Sequence, residues 1–172
     1  MHRFGRTLAF GGTFLLTILL VGGCFDGAAL GLVEPPPEGM PAYGEIGAED
    51  ASFVIAALRD RPDFVLLDIR TPAEVEAGHI PGAVHIDYRA GSFDAELDRL
   101  DRDVVYLIYC RTANRTGQAF ARMQEMGFGR VYDLQGGITH WAALGYPVCS
   151  GPLDAEHACV GAFPTPSETA ES

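Results

Sequence analysis

Lysine is missing altogether from this 172-residue chain, whose 12 basic side chains are therefore all arginine, set against 23 acidic ones for a formal charge of −11. No basic stripe can be drawn from that set, which argues against nucleic acid as a partner. The absence of lysine itself reads as genomic codon bias. The five histidines lack metal-ligand spacing, so no metal site and no cofactor are expected. Internal repeats are absent. The one long apolar run, from about Leu8 to Val21, is short for a membrane-spanning helix. What remains is 48% hydrophobic and 10% aromatic, a composition that suits one globular domain with a real core and extra segments at both ends.

The N-terminus carries a leader pattern. Arg3 and Arg6 precede the apolar run, as in a secretory signal. The run ends in Leu20-Val21-Gly22-Gly23-Cys24, which resembles the bacterial lipobox. That resemblance implies a signal peptide over residues 1–23 and lipidation of Cys24 as the first mature residue. Acyl chains such as palmitate, several together, would hold the protein durably on a membrane. An ordinary cleaved signal or an uncleaved anchor are the alternatives. Cleavage removes Arg3 and Arg6 and no acids, which takes the charge from −11 to −13. Residues 24–44, with Glu34-Pro35-Pro36-Pro37-Glu38-Gly39, read as a proline-rich tether or as a tolerated unstructured terminus. The expected location is the bacterial cell envelope, with the domain in the periplasm or at the cell surface. Phe25 and Asp26 do not settle the choice of inner or outer membrane.

From residue 45 strand and helix signals alternate. Apolar residues at helical spacing mark Glu49 to Leu58, with Gly47 at the N-cap. Phe64 to Ile69 is a continuous apolar run, as for a strand buried on both faces. Pro72 to Ala77 reads as a short helix, Val84 to Ile86 as a short strand, and Phe93 to Leu100 as a helix capped by Ser92. Val104 to Tyr109 is the central strand. Thr116 to Met126 follows as a helix with Ala119, Phe120, Met123 and Met126 on one face and Gly127 as its stop. Arg130 to Leu134 is the last strand and Ile138 to Leu144 the last helix. Such alternation predicts an α/β fold, a central parallel sheet flanked by helices on both faces.

The run Tyr109-Cys110-Arg111-Thr112-Ala113-Asn114-Arg115-Thr116-Gly117 is the most informative in the chain. It places one cysteine at the end of the central strand, before a short polar loop and a helix. A sulfur there meets backbone N–H groups and the positive end of a helix dipole, with two arginines alongside. That environment lowers a thiol pKa, and the thiolate is the reactive species. Ligands of parallel sheets bind beyond the carboxyl ends of the strands, where Cys110 falls.

Strand, Cys-x-x-x-x-Arg-[Ser/Thr], then helix resembles the active-site loop of the rhodanese (thiosulfate sulfurtransferase) family. Leu67-Asp68-Ile69-Arg70-Thr71-Pro72-Ala73-Glu74 with Gly78-His79-Ile80-Pro81-Gly82-Ala83, and Gly136-Gly137-Ile138-Thr139-His140-Trp141 with Gly145-Tyr146-Pro147-Val148, resemble its other signatures. Residues 45–148 are identified as the rhodanese-like domain. Four residues separate Cys110 from Arg115. The related cell-cycle phosphatases carry five, a wider cradle for phosphate, so phosphatase activity is the minority reading. Ala113 stands where many members carry glycine. If the position needs a positive φ, alanine costs roughly 1 kcal/mol or more there.

The resemblance implies a double displacement in which Cys110 takes the sulfane sulfur of a small anionic donor such as thiosulfate and passes it to a thiophilic acceptor. The amides of Arg111, Thr112, Ala113, Asn114, Arg115 and Thr116 would cradle the persulfide. Arg115, and with less weight Arg111, would draw the donor in. Thr112 and Thr116 offer hydroxyl hydrogen bonds to the sulfur or caps for the helix, capping being preferred for Thr116. Two other classes compete: a non-catalytic sulfur carrier docking on a membrane partner, and a thiol–disulfide protein using the tail cysteines. A monomer is expected, with a sulfur-accepting protein as the natural partner.

Other conspicuous residues read as scaffold. Asp68 either tunes the loop or, by preference, makes an ion pair or turn contact. Arg70 is expected to pair with Glu74. His79 should make a scaffold hydrogen bond, Trp141 should be core and His140 solvent-facing. In the tail (149–172), Cys149 and Cys159 enclose nine residues, and in an oxidising compartment a disulfide is expected. The alternative is that one of them resolves a Cys110 adduct.

Overall fold

The computed structural model describes residues 33–153, 159–161 and 163. The leader, the lipobox with Cys24 and the end of the tail lie outside the described residues. Among those described, no helix is long and apolar enough to cross a membrane.

The sheet is built from β1 (Gly44–Ile46), β2 (Phe64–Asp68), β3 (Val84–His85), β4 (Val105–Tyr109) and β5 (Val131–Leu134). Their order is β1-β5-β4-β2-β3, and every pairing is parallel. Between them lie α1 (Ala48–Leu58), α2 (Pro72–Ala77), α3 (Phe93–Leu97), α4 (Asn114–Glu125) and α5 (Gly137–Ala143). All five residues of β4 are buried, as a strand covered on both faces requires. Alternate side chains feed two cores. Leu107, Tyr109, Tyr132 and Leu134 pack with Val54, Ile55 and Trp141 from α1 and α5. Tyr106, Ile108, Cys110 and Val131 pack with Leu97, Ala119 and Met123 from α3 and α4. The chain leaves β2 towards one edge and β4 towards the other, so the carboxyl ends of β2 and β4 flank the topological switch point. Cys110 follows β4 there.

Several boundaries differ from the sequence reading. The strand β1 is unforeseen; it is three residues long and pairs only with β5. Helix α3 stops at Leu97 rather than Leu100, and the Ser92 hydroxyl donates to the Glu96 carboxylate (2.6 Å) instead of accepting from a backbone amide. Helix α4 begins at Asn114, two residues before Thr116, because Ala113 turns the chain. After α5 come β6 (Val148–Cys149) and β7 (Cys159–Val160), an antiparallel pair closed by the Cys149–Cys159 disulfide. Cys149 also exchanges both backbone hydrogen bonds with His79 (2.8 Å each). Residues 33–43, part of the expected tether, lie along the domain. Arg130 holds Glu34 (2.8 Å), the Tyr132 hydroxyl donates to Pro41 O (3.0 Å), and the Tyr43 ring packs tilted against Tyr132. They line a crevice with Phe64 and Val105, at the opposite end of the sheet from Cys110.

Candidate active site

The loop after β4 is shaped from two sides. Ala113 adopts φ 72°, ψ −6°, and is the one non-glycine residue described with a positive φ. This left-handed residue reverses the chain sharply enough for α4 to start at once, at a cost of roughly 1–2 kcal/mol. On the other side, the first amides of α5 fasten the loop's carbonyls. Ile138 N–H donates to Cys110 O (2.9 Å) and Thr139 N–H to Arg111 O (3.1 Å). Gly137 permits that approach, since a Cβ there would overlap the Cys110 carbonyl oxygen. With the carbonyls taken up by α5, the amides of Arg111 through Thr116 have no backbone acceptor among the described residues. Unpaired amides at a helix start, beside one sulfur, form an anion cradle.

Cys110 is 1% exposed and is the free cysteine among the described residues. Thr116 sits in the first turn of α4, not at its cap. Its hydroxyl donates to Ala113 O (3.0 Å) and lies 3.9 Å from Cys110 Sγ. The sulfur opens onto a cleft of about 410 Å³ lined by Thr71, Glu74, Arg89, Cys110, Arg111, Thr112, Asn114 and Arg115.

Arg115 does not present a free guanidinium to this cleft. It makes two parallel hydrogen bonds to Glu74, 2.8 and 2.7 Å. Glu74 also accepts from Thr71 N–H and Oγ1 in the capping box of α2. The Arg115 contact is the main cause that pulls the Glu74 carboxyl down to about 2. Arg115 is raised in turn, chiefly by Glu74 and in smaller part by the nearby Cys110. The expected Arg70–Glu74 pair is therefore incorrect. Arg70 instead pairs with Asp68 (2.6 Å), with side chains 5% and 0% exposed, and also donates to Gly78 O (2.5 Å). Glu74 belongs to the cleft, and Arg70 is folded beneath it, 5.6 Å from the Tyr109 ring. This buried pair holds the start of α2 and the His79 turn to the sheet. It is scaffold, and breaking one partner would leave a buried charge uncompensated.

Among the described residues, seven arginines form salt bridges. Arg89, Arg99 and Arg111 do not, and two of these three line the cleft. In so acidic a chain, unpaired cations collected at one place favour an anionic ligand. Arg89 was missed in the sequence because it stands 21 residues before Cys110, in an unpatterned loop. Asp133, buried on β5, was also missed. Its one signal is an acid inside the short apolar run Val131 to Leu134. His79 is buried with Nδ1 3.1 Å from Val75 O, Trp141 is core and His140 is exposed. Among the described residues no group of His, Cys, Asp and Glu could hold a metal ion.

A family model described as the rhodanese-like domain matches residues 54–144. The chain is 41% identical over 99 residues to a sulfurtransferase from Allochromatium vinosum, covering 58% of this chain and 91% of that protein. It is 35% identical over 100 residues to the thiosulfate sulfurtransferase GlpE from Pseudomonas putida, covering 58% and 87%. A crystal structure of a rhodanese-related protein from Thermoplasma volcanium superposes with a TM-score of 0.54 at 28% identity, covering 65% of this chain and all of that one.

Proposed function

This chain belongs to the rhodanese-like family of sulfurtransferases, and from that premise we propose that it moves sulfane sulfur from thiosulfate, or a related anionic donor, to a thiophilic acceptor through a Cys110 persulfide. The Cys110 thiolate attacks the outer sulfur of the donor. A new S–S bond forms, the donor's own S–S bond breaks, and its electron pair leaves with sulfite. The persulfide anion rests among the amides of Arg111 to Thr116 until an acceptor nucleophile takes the outer sulfur. The carrying observation is the cradle of unpartnered amides around a single buried sulfur. Arg89 and Arg111 on the cleft, both without a salt-bridge partner, support a dianionic donor.

Within the same proposal, the chain is a lipoprotein anchored through Cys24, with the domain outside the cytoplasm. The leader pattern supports this, as does the Cys149–Cys159 disulfide, a bond characteristic of oxidising compartments. That bond occupies both tail cysteines, which disfavours their acting as resolving thiols for Cys110.

The test is thiosulfate:cyanide turnover of the full-length chain beside Cys110→Ser, with mass spectrometry after thiosulfate alone. Turnover and one added sulfur on the Cys110 peptide, both lost in Cys110→Ser, are expected. An adduct without turnover would favour a sulfur carrier feeding a protein partner. The absence of both signals would overturn the thiosulfate reading.

A further inference from the structure

The match to the family model ends at Leu144, and the chain beyond it adds a strap to the domain. Strands β6 and β7 pair over two residues each, Val148 with Val160 and Cys149 with Cys159. So short a ribbon is not stable by itself, and the Cys149–Cys159 disulfide cross-links it. Its two sulfurs differ in access: Cys149 is 3% exposed, whereas Cys159 is an exposed residue. On its other side β6 grips the end of α2. His79 N–H donates to Cys149 O and Cys149 N–H to His79 O (2.8 Å each), and Gly151 N–H donates to Glu76 O (2.9 Å). Val148 closes on Gly78, where a Cβ would lie 3.2 Å from its side chain.

Helix α2 has six residues and depends on such contacts for its place. Its first turn carries Glu74, which lines the Cys110 cleft and holds the Arg115 guanidinium by two hydrogen bonds. One path of bonded contacts thus runs from the disulfide through β6 and α2 to Arg115. We infer that the Cys149–Cys159 bond is a redox site for a dithiol, and that its reduction loosens α2 and frees Arg115 for the sulfur donor. A thiolate of the dithiol attacks the exposed Cys159 Sγ. A mixed disulfide forms, the strap's S–S bond breaks, and Cys149 leaves as thiolate. The reductant's second sulfur then attacks its own sulfur in the mixed disulfide and releases Cys159. Two electrons enter the strap, the dithiol becomes a disulfide, and its two protons end on Cys149 and Cys159. With β7 no longer held, β6 becomes an edge and its grip on Glu76 and His79 weakens. A two-point carboxylate–guanidinium pair is directional, so displacement of α2 opens it. Cys110 takes no part in the exchange.

The effect on turnover rests on the sulfur-transfer reading above; the effect on α2 and Arg115 does not. The test compares full-length wild type with the double variant Cys149→Ala, Cys159→Ala. Without any donor, the Gly78 and His79 amides of the variant should exchange hydrogen on the order of tens of times faster, as the closed loop is lost. The Glu74 carboxyl, followed by NMR, should titrate higher, moving from about 2 back towards 4.5. The same two readings on wild type reduced with dithiothreitol decide the matter should the variant misfold. With thiosulfate, the variant's KM should fall several-fold. Adding Glu74→Gln to both forms should abolish that difference, because Arg115 is then free in each, whereas a merely structural strap would act equally in either background. Equal amide exchange, an unmoved Glu74 midpoint, an unchanged KM, or a KM difference that survives Glu74→Gln would each overturn the inference. If no form turns over thiosulfate, the sulfur-transfer reading fails, and the two donor-free readings still decide the redox site.

Discussion

Replacing Glu74 with glutamine should destabilise the protein at neutral pH and leave acid stability almost untouched. The carboxyl moves from 4.5 in its ordinary state to about 2 in the fold. At about 1.4 kcal/mol per unit, that shift sets an upper bound of about 3 kcal/mol. The side chains of Arg115 and Glu74 are 14% and 28% exposed, so solvent screening applies and about 1–2 kcal/mol is the working figure. Because the folded pKa is depressed, the contribution is complete above pH 4.5 and is lost as the pH falls towards about 2. Urea titrations of wild type and Glu74→Gln at several pH values would measure it, with the slope checked for constancy. The two midpoints should differ by the equivalent of about 1–2 kcal/mol at pH 7 and converge between pH 4.5 and about 2. A difference that stayed constant across that window would refute the assignment of Glu74 as the ionised partner of Arg115. The substitution should also lower the KM for thiosulfate, since Arg115 would then be free for the donor.

Arg89→Ala and Arg111→Ala should each raise the KM for a dianionic donor several-fold with kcat largely kept, and added salt should shrink the difference, because screening weakens exposed charges. Equal KM values at low salt would remove either arginine from the binding site. At position 113, a β-branched side chain tolerates φ 72° less well than alanine. Ala113→Val should therefore cost roughly 2 kcal/mol or more in urea unfolding, whereas Ala113→Gly should lie within about 1 kcal/mol of wild type, as relief of strain offsets the extra entropy of the unfolded chain.

The parts of the site that were legible in the sequence are those in which one short segment specifies its own geometry. Val104 to Tyr109 is apolar without a break, the cysteine ends it, and a helix former follows, so the placement of Cys110 needs no partner from elsewhere. The parallel sheet was legible for the same reason, as its central strands and its longer helices carry their own apolar pattern. What was misread depends on contacts between distant segments. Arg70 stands four positions from Glu74, the natural spacing for a helix pair. Glu74 nevertheless belongs to Arg115, 41 positions away, since the capping box of α2 turns its carboxylate to the cleft and Arg70 is buried on Asp68. The strand β1 fails the local test as well: three residues starting with glycine carry no pattern, and β5 supplies the pairing.

Asp133 shows how the two kinds of information combine. Alternation along β5 assigns it to the buried face that also holds Val131, where an acid breaks the expected pattern. Sequence alone can report that break, but not its purpose. In the fold the Thr116 hydroxyl is committed to Ala113 O (3.0 Å) and lies 3.9 Å from Cys110 Sγ. The same left-handed turn at Ala113 that exposes the amides also aims its carbonyl at Thr116. Backbone strain and amide cradle thus converge on Ala113. A substitution that relaxes Ala113 should therefore disturb the amide cradle at Cys110, read as lost sulfur transfer, before it disturbs the fold, because the turn would move while the two cores on either side of the sheet remain intact.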